Sequence, residues 1–293
     1  MAASTNHSPA NARFRILMLH GYAQTAQIFR IKTRLLLQEI SQSLSPILLK
    51  RYPGGLEFLF PDGPVNLDAA GGSEFEIKPA SVARLGWWLN LDNTSRYIFL
   101  NDAFHHLADF LGGEPIHGVI GFSQGGALGM MLAAMCEAVN DSQRAQAVRA
   151  QNLPLDSFLQ SLPGQQPLQF ALSFCGFRGT MDYYSSLYQP PLRTPSFHAI
   201  GLFDTMITAD ESQDLVTSFV APDVRHFFGG HFIPRDAESV ERVTQFLRRI
   251  CLDRMTADVD APEPSSTGDA ASLSSTASVR RRSKRVWRQQ DES

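Results

Sequence analysis

The sequence predicts an α/β fold: a mostly parallel central sheet flanked by helices. Three observations carry that prediction. Short apolar runs of strand length alternate with stretches of helical periodicity between residues 14 and 252, a pattern that implies right-handed crossovers and a parallel sheet. The stretch Gly121-Phe122-Ser123-Gln124-Gly125 joins an apolar run to a small-residue, helix-compatible run, as a strand, a sharp turn and a helix would. The chain has 293 residues and is 43% hydrophobic, enough for one sizeable core.

Taken in order, residues 14–19 form a short β-type run that becomes apolar, as a buried parallel strand should. It ends in His20-Gly21-Tyr22-Ala23-Gln24. Thr25 can cap the next helix, whose Ile28, Ile31, Leu35, Leu36 and Ile40 are spaced for one face. Residues 56–60 read as a strand stopped by Pro61-Asp62-Gly63-Pro64. Residues 64–97 are poorly periodic and hold Trp87-Trp88; a long irregular insert of this kind is more often functional than accidental. A helix over 99–111 closes at Gly112-Gly113, and the strand 116–121 leads into the serine turn.

Residues 140–167 are polar and Gln-rich and read as an insertion with a short helix near 156–162. Further strands are expected over 168–174, 195–200 and 224–228. Helices are expected over 208–220, capped by Thr208, and over 236–252. Residues 177–192 read as an aromatic loop. From Thr256 the chain is rich in Ser, Ala, Asp and Pro and ends in a basic run, Arg280 to Arg285. The domain reading is therefore a flexible N-terminus over 1–12, a folded domain over 13–255, and a disordered tail over 256–293.

Composition narrows the function. The net charge of −3 gives no basic field for nucleic acid. No apolar run reaches the length of a membrane span. Met1 to Ala12 lacks the pattern of a signal peptide. The three cysteines, Cys136, Cys175 and Cys251, each lie in an apolar segment without CxxC spacing, as buried thiols of a reducing compartment would. A cytoplasmic protein is expected, with nuclear import left open by the basic run.

The chemistry starts at Ser123. The flanking glycines remove the Cβ atoms that would clash with backbone crossing a tight turn. A serine hydroxyl needs a base within hydrogen-bond reach and a group orienting that base. His231 follows Gly229-Gly230 and precedes Phe232-Ile233-Pro234, so its loop can carry an imidazole to the serine. Asp204 follows the strand ending at Gly201; Asp210 lies inside the next helix and Asp182 in an irregular segment, which makes both weaker choices. The order Ser, Asp, His is that of α/β-hydrolases. Backbone N–H groups of Gln124 and Tyr22 are the expected oxyanion donors, and His20 is expected to brace the Tyr22 loop. Trp87, Trp88, Phe177 and Phe232 stand near the predicted edge and suit a long or aromatic acyl group. Histidine and acid spacing offers no HExxH-type cluster, so no metal and no cofactor is expected.

Together, Leu19-His20-Gly21-Tyr22-Ala23-Gln24, Gly121-Phe122-Ser123-Gln124-Gly125-Gly126, Cys175-Gly176-Phe177, His198-Ala199-Ile200-Gly201 with Asp204-Thr205, and Gly229-Gly230-His231-Phe232-Ile233-Pro234 resemble the FSH family of fungal serine hydrolases over roughly residues 13–252. The resemblance implies an α/β-hydrolase fold, carboxylesterase or thioesterase activity, and a triad at Ser123, Asp204 and His231. It also implies, for some members, chain release or ester hydrolysis beside a fungal polyketide synthase, with a small acyl ester or a carrier-bound acyl-thioester as substrate and the synthase's carrier domain as partner. The inserts at 64–97 and 140–167 fall outside the general family pattern. Two other readings stay open at this stage: a non-catalytic binding protein on the same fold, and an acyltransferase or peptidase on the same scaffold.

Overall fold

A computed structural model describes residues 11–70, 83–91, 94–179 and 181–259. Six parallel strands build its main sheet, in the order β2-β1-β5-β6-β7-β8. They are β1 (Phe14–Leu19), β2 (Leu56–Leu59), β5 (Gly118–Phe122), β6 (Phe170–Phe174), β7 (Ser196–Gly201) and β8 (Asp223–Phe227). After β2 the chain returns to the other side of β1 and continues outward, so the strand order reverses between β1 and β5. Ligands of open α/β sheets bind beyond the strand C-termini at such a point.

The side chains of β1 alternate between two cores. Phe14, Ile16 and Met18 join one apolar cluster, while Leu17 and Leu19 join the other. The first cluster lies under α1 (Ala26–Leu48) and α8 (Ala237–Val259); the second lies under α3 (Leu100–Leu111), α4 (Gln124–Glu137), α5 (Ser142–Ala150), α6 (Leu155–Ser161) and α7 (Ala209–Val216). Every residue of α4 is buried. That is why its sequence is small and apolar all round rather than striped. Burial of each large side chain contributes about 1.5–3 kcal/mol, and α4 places Leu128, Met130, Met131 and Leu132 wholly inside.

Caps behave as the sequence implies at two helices. Thr25 Oγ1 accepts from Ile28 N–H at the start of α1. Thr208 and Glu211 form a reciprocal capping box at α7.

Several details differ from expectation. The helix after Thr25 runs to Leu48, past Ile40, and contains Pro46. The 140–167 segment holds two helices, α5 and α6, rather than one; Asp141 caps α5 by accepting from Arg144 N–H. The polar composition of α5 hid it, because its packing rests on Arg144, buried against Glu137 and donating to Leu187 O. Residues 182–188 of the expected loop form a 3-10 helix, Asp182–Tyr188. Within 64–97, the short β3 (Val65–Asn66) and β4 (Leu85–Gly86) pair antiparallel beside α2 (Leu67–Ala70), while 71–82 lies outside the described residues. Of the tail read as disordered, 256–259 belong to α8; 260–293, with the basic run, lies outside the described residues, as does 1–10 of the N-terminus read as flexible.

Candidate active site

Ser123 leaves β5 at φ 53, ψ −120, a conformation that costs a non-glycine residue of order 1–3 kcal/mol. Its surroundings enforce it. A Cβ on Gly121 would lie 2.2 Å from Gly125 O, and one on Gly125 would lie 2.2 Å from Leu19 O. No side chain fits at either position, so the turn folds as tightly as the sequence implied. Ser123 N–H donates to Phe174 O at 2.9 Å, which ties the turn to the end of β6.

Two further loops meet it. Asp204 follows β7 and His231 follows β8, and the two loops are joined by Leu202 N–H to Phe227 O and Phe203 N–H to Gly229 O, at 3.0 and 2.9 Å. His231 Nε2 lies 2.8 Å from Ser123 Oγ, and His231 Nδ1 lies 2.7 Å from Asp204 Oδ2. An ionised carboxylate can only accept, so Nδ1 carries the proton and Nε2 is left to accept from the serine hydroxyl. Burial by itself would raise the Asp204 carboxyl. Hydrogen bonds from Ile207 N–H, His231 and Met206 N–H outweigh burial and hold it below the ordinary carboxylate range. The acid is thus kept ionised by two backbone donors that no sequence motif announces.

The predicted oxyanion donors flank the cleft. Gln124 is the first residue of α4, so its N–H has no intrahelical partner and faces the favourable end of the helix dipole. Tyr22 sits across the strand-order reversal, half exposed, and lines the same cleft as Ser123, Gln124 and His231. His20 does brace the Tyr22 loop. Its Nε2 accepts from Gly63 N–H at 2.9 Å and its Nδ1 donates to Gly21 O at 2.8 Å. Burial holds the ring below its usual range, which suits this neutral, doubly engaged form.

The cleft has a volume of about 360 Å³. Trp88, Tyr97, Phe177, Met206 and Ile207 supply its apolar walls, and among the described residues no carboxylate, lysine or arginine lines it. Two of the four residues expected to contact substrate are placed otherwise. Trp87 is wholly buried; its ring packs on His20, and its Nε1–H donates to His20 O at 2.8 Å. It supports the loop rather than facing the cleft. Phe232 lines a neighbouring cavity instead, with Phe122, Ile233, Lys32 and Arg235.

Two residues carry roles that sequence reasoning missed. The Gln124 side chain accepts from Trp87 N–H and donates to Trp88 O, each at 2.9 Å, and so clamps the cleft wall to the serine turn. Only its place after Ser123 could have flagged it. Cys175, at φ 47 after β6, lies beneath the His231 loop with Sγ 3.5 Å from Phe232 O. Its Sγ, an Asp204 oxygen and a His231 nitrogen lie within 4.8 Å of one another. Burial, then Asp204, pushes the thiol up to about 12. No helix among the described residues is long and apolar enough to cross a membrane.

Comparison with known proteins speaks to the family and the fold. A family model described as "Serine hydrolase (FSH1)" matches residues 10–243. An uncharacterised hydrolase of Schizosaccharomyces pombe is 28% identical over 80% of this chain, and this chain spans only 50% of that protein's length. The esterase OVCA2 of Xenopus tropicalis is 27% identical over 84% of this chain and 98% of its own. Among solved structures, Zea mays acyl-protein thioesterase 2 matches with a TM-score of 0.50 at 16% identity, over 82% of this chain and 95% of its own; that likeness speaks to the fold alone.

Proposed function

The chain belongs to the serine hydrolase (FSH1) family, and from that premise we propose that it cleaves a carboxylic ester or acyl-thioester through an acyl-enzyme on Ser123. The observation that carries the proposal is the unbroken relay of 2.8 and 2.7 Å from Ser123 Oγ through His231 to Asp204 Oδ2.

In this reading Ser123 Oγ attacks the acyl carbonyl as His231 Nε2 takes its proton. The developing oxyanion accepts from Gln124 N–H and Tyr22 N–H. His231 then returns the proton to the leaving alcohol or thiol, and the C–O or C–S bond breaks. Water, deprotonated by His231, attacks the acyl-enzyme; the acid departs and Ser123 recovers its proton. Asp204 holds the tautomer and stabilises the imidazolium. The aromatic side chains that line the cleft support an apolar acyl group, and Trp88 and Phe177 contact it.

A fluorophosphonate probe is expected to label the protein at Ser123 and to leave Ser123→Ala unlabelled, with hydrolysis of a p-nitrophenyl ester falling by about 10⁴–10⁶-fold. Labelling that survives the substitution would sink the reading. The finer assignment, release of a chain from a polyketide carrier domain, draws its support from the family resemblance. It is separated from simple ester hydrolysis by presenting one acyl group as an oxygen ester and as a carrier-bound thioester.

A further inference from the structure

Cys175 stands where the loops of all three triad residues meet. It leaves β6 at φ 47, in the left-handed region that glycine occupies at least cost. The chain nevertheless keeps a side chain there, and that side chain is wholly buried. Backbone strain of this kind persists where the surroundings hold it, and it clusters at functional sites.

The contacts of Cys175 lead to each catalytic loop in turn. Its N–H donates to Ala199 O at 2.8 Å, on β7, the strand that leads to Asp204. The carbonyl before it, Phe174 O, accepts from Ser123 N–H. Its thiol faces the third loop. Sγ–H donates to Phe232 O at 3.5 Å, with Gly230 O at 3.9 Å beside it, and these two carbonyls flank His231. Phe232 N–H donates to Gly230 O at 2.9 Å, so His231 sits at the apex of a γ-turn. Among the described residues, the triad's own bonds aside, the hydrogen bonds that reach this turn from outside its loop come from Cys175. Separations of 3.5 and 3.9 Å exceed the reach of about 2.5–3.0 Å of a hydroxyl donor and suit the larger sulfur. Burial keeps the thiol protonated, and so a donor, through the neutral range.

We propose that Cys175 is a positioning residue, whose thiol holds the His231 turn so that the imidazole faces Ser123. The proposal rests on the acyl-hydrolase reading above and adds one residue to it. No bond to Cys175 is made or broken; it acts through His231.

The test uses Cys175→Ala, which removes the donor, and Cys175→Ser, which keeps one of shorter reach. Two esters of one acid are compared, p-nitrophenyl and ethyl. Nitrophenolate leaves without a proton, whereas ethoxide needs the one that His231 carries. With active sites counted by fluorophosphonate titration, kcat/KM of Cys175→Ala is expected to fall about fivefold on the nitrophenyl ester and about thirtyfold on the ethyl ester, with Cys175→Ser between it and the wild type. A residue that only fills the core changes the amount of folded enzyme and leaves this ratio alone. Equal losses on the two esters, no loss, or a Cys175→Ser no better than Cys175→Ala overturns the proposal. A second readout needs no catalysis. The His231 Nδ1 proton, held on Asp204, gives a downfield NMR resonance, identified by its disappearance in Asp204→Ala. Its exchange with water is expected to quicken about fivefold in Cys175→Ala. Unchanged exchange overturns the proposal. Quickened exchange supports it even in a protein that hydrolyses neither ester, and that failure then falls on the hydrolase reading. If Cys175→Ala does not fold, both readouts are taken on Cys175→Ser, where shifts of about twofold in the same directions are expected and their absence overturns the proposal.

Discussion

The catalytic loops and the cleft wall lie within one site and are held in different ways. In the loops, backbone fixes the side chains: the Cβ exclusions at Gly121 and Gly125, the strained φ of Ser123, and the two bonds joining the Asp204 and His231 loops. In the wall, side chains from distant segments fix one another. Trp88 stacks on Tyr97, Tyr97 stacks on Tyr184, and Gln124 holds Trp87 and Trp88 by their backbone. The candidate triad is thus held by backbone, with no room for a side chain at Gly121 or Gly125. Selectivity is vested in packing that can be exchanged piece by piece.

The sharpest way to break this distinction is Asp204→Asn. The loop bonds to Leu202 and Phe203 are backbone and survive, but an amide can donate to Nδ1 and favour the wrong tautomer. We expect kcat to fall by about 10⁴-fold with the fold intact by circular dichroism. A loss of less than tenfold would mean that Asp204 does not orient His231.

A second effect falls on the sheet beneath both regions. His198 is buried and is pushed down to about 3 by burial. His117 is pushed down to about 4, by burial and then by Arg15 and Arg51. Both folded values lie below the 6.5 of an unfolded histidine. As pH falls through 6.5 the unfolded chain takes up protons that the folded chain refuses, and stability drops until about pH 3 for His198 and about pH 4 for His117. Urea midpoints measured at pH 6.5 and 4.5 should differ by about 2–5 kcal/mol in unfolding free energy, and His198→Phe should flatten the difference. Midpoints independent of pH would refute it.

The smallest expected change lies in the wall. Phe177→Ala should raise KM for a bulky aromatic ester by about tenfold, the loss of one partly buried ring contact, while kcat for an acetyl ester moves less than twofold. Equal losses on both esters would mean that the wall and the loops cannot be separated.

This division also explains what the sequence disclosed. The sheet was legible because its buried strands read as apolar runs. The serine turn was legible because close backbone packing leaves glycine at 121 and 125 as a local mark. The parallel topology made Ser123, Asp204 and His231 candidates for one sheet edge, and their local context and chain order singled them out. The wall was not legible, since packing between residues such as Trp88 and Tyr97, or Tyr97 and Tyr184, leaves no spacing in the chain. Hence Trp87 was expected at the substrate when it supports His20, and Phe232 was expected in the cleft when it lines the neighbouring cavity. Helix α5 escaped notice for a related reason: a polar segment is anchored by Arg144 and Glu137 instead of an apolar stripe.

The joining of Ser123 to His231 spans 108 residues of sequence. Contacts so distant form late, after loop closure has brought the intervening strands together. A nascent chain that has released its serine but not yet residue 231 holds an alcohol without a base, and so cannot attack the esters around it during synthesis. In the proposed reaction His231 reaches Ser123 only once β8 is docked on β7. Regain of activity after dilution from urea therefore serves as a clock for the last crossover of the fold.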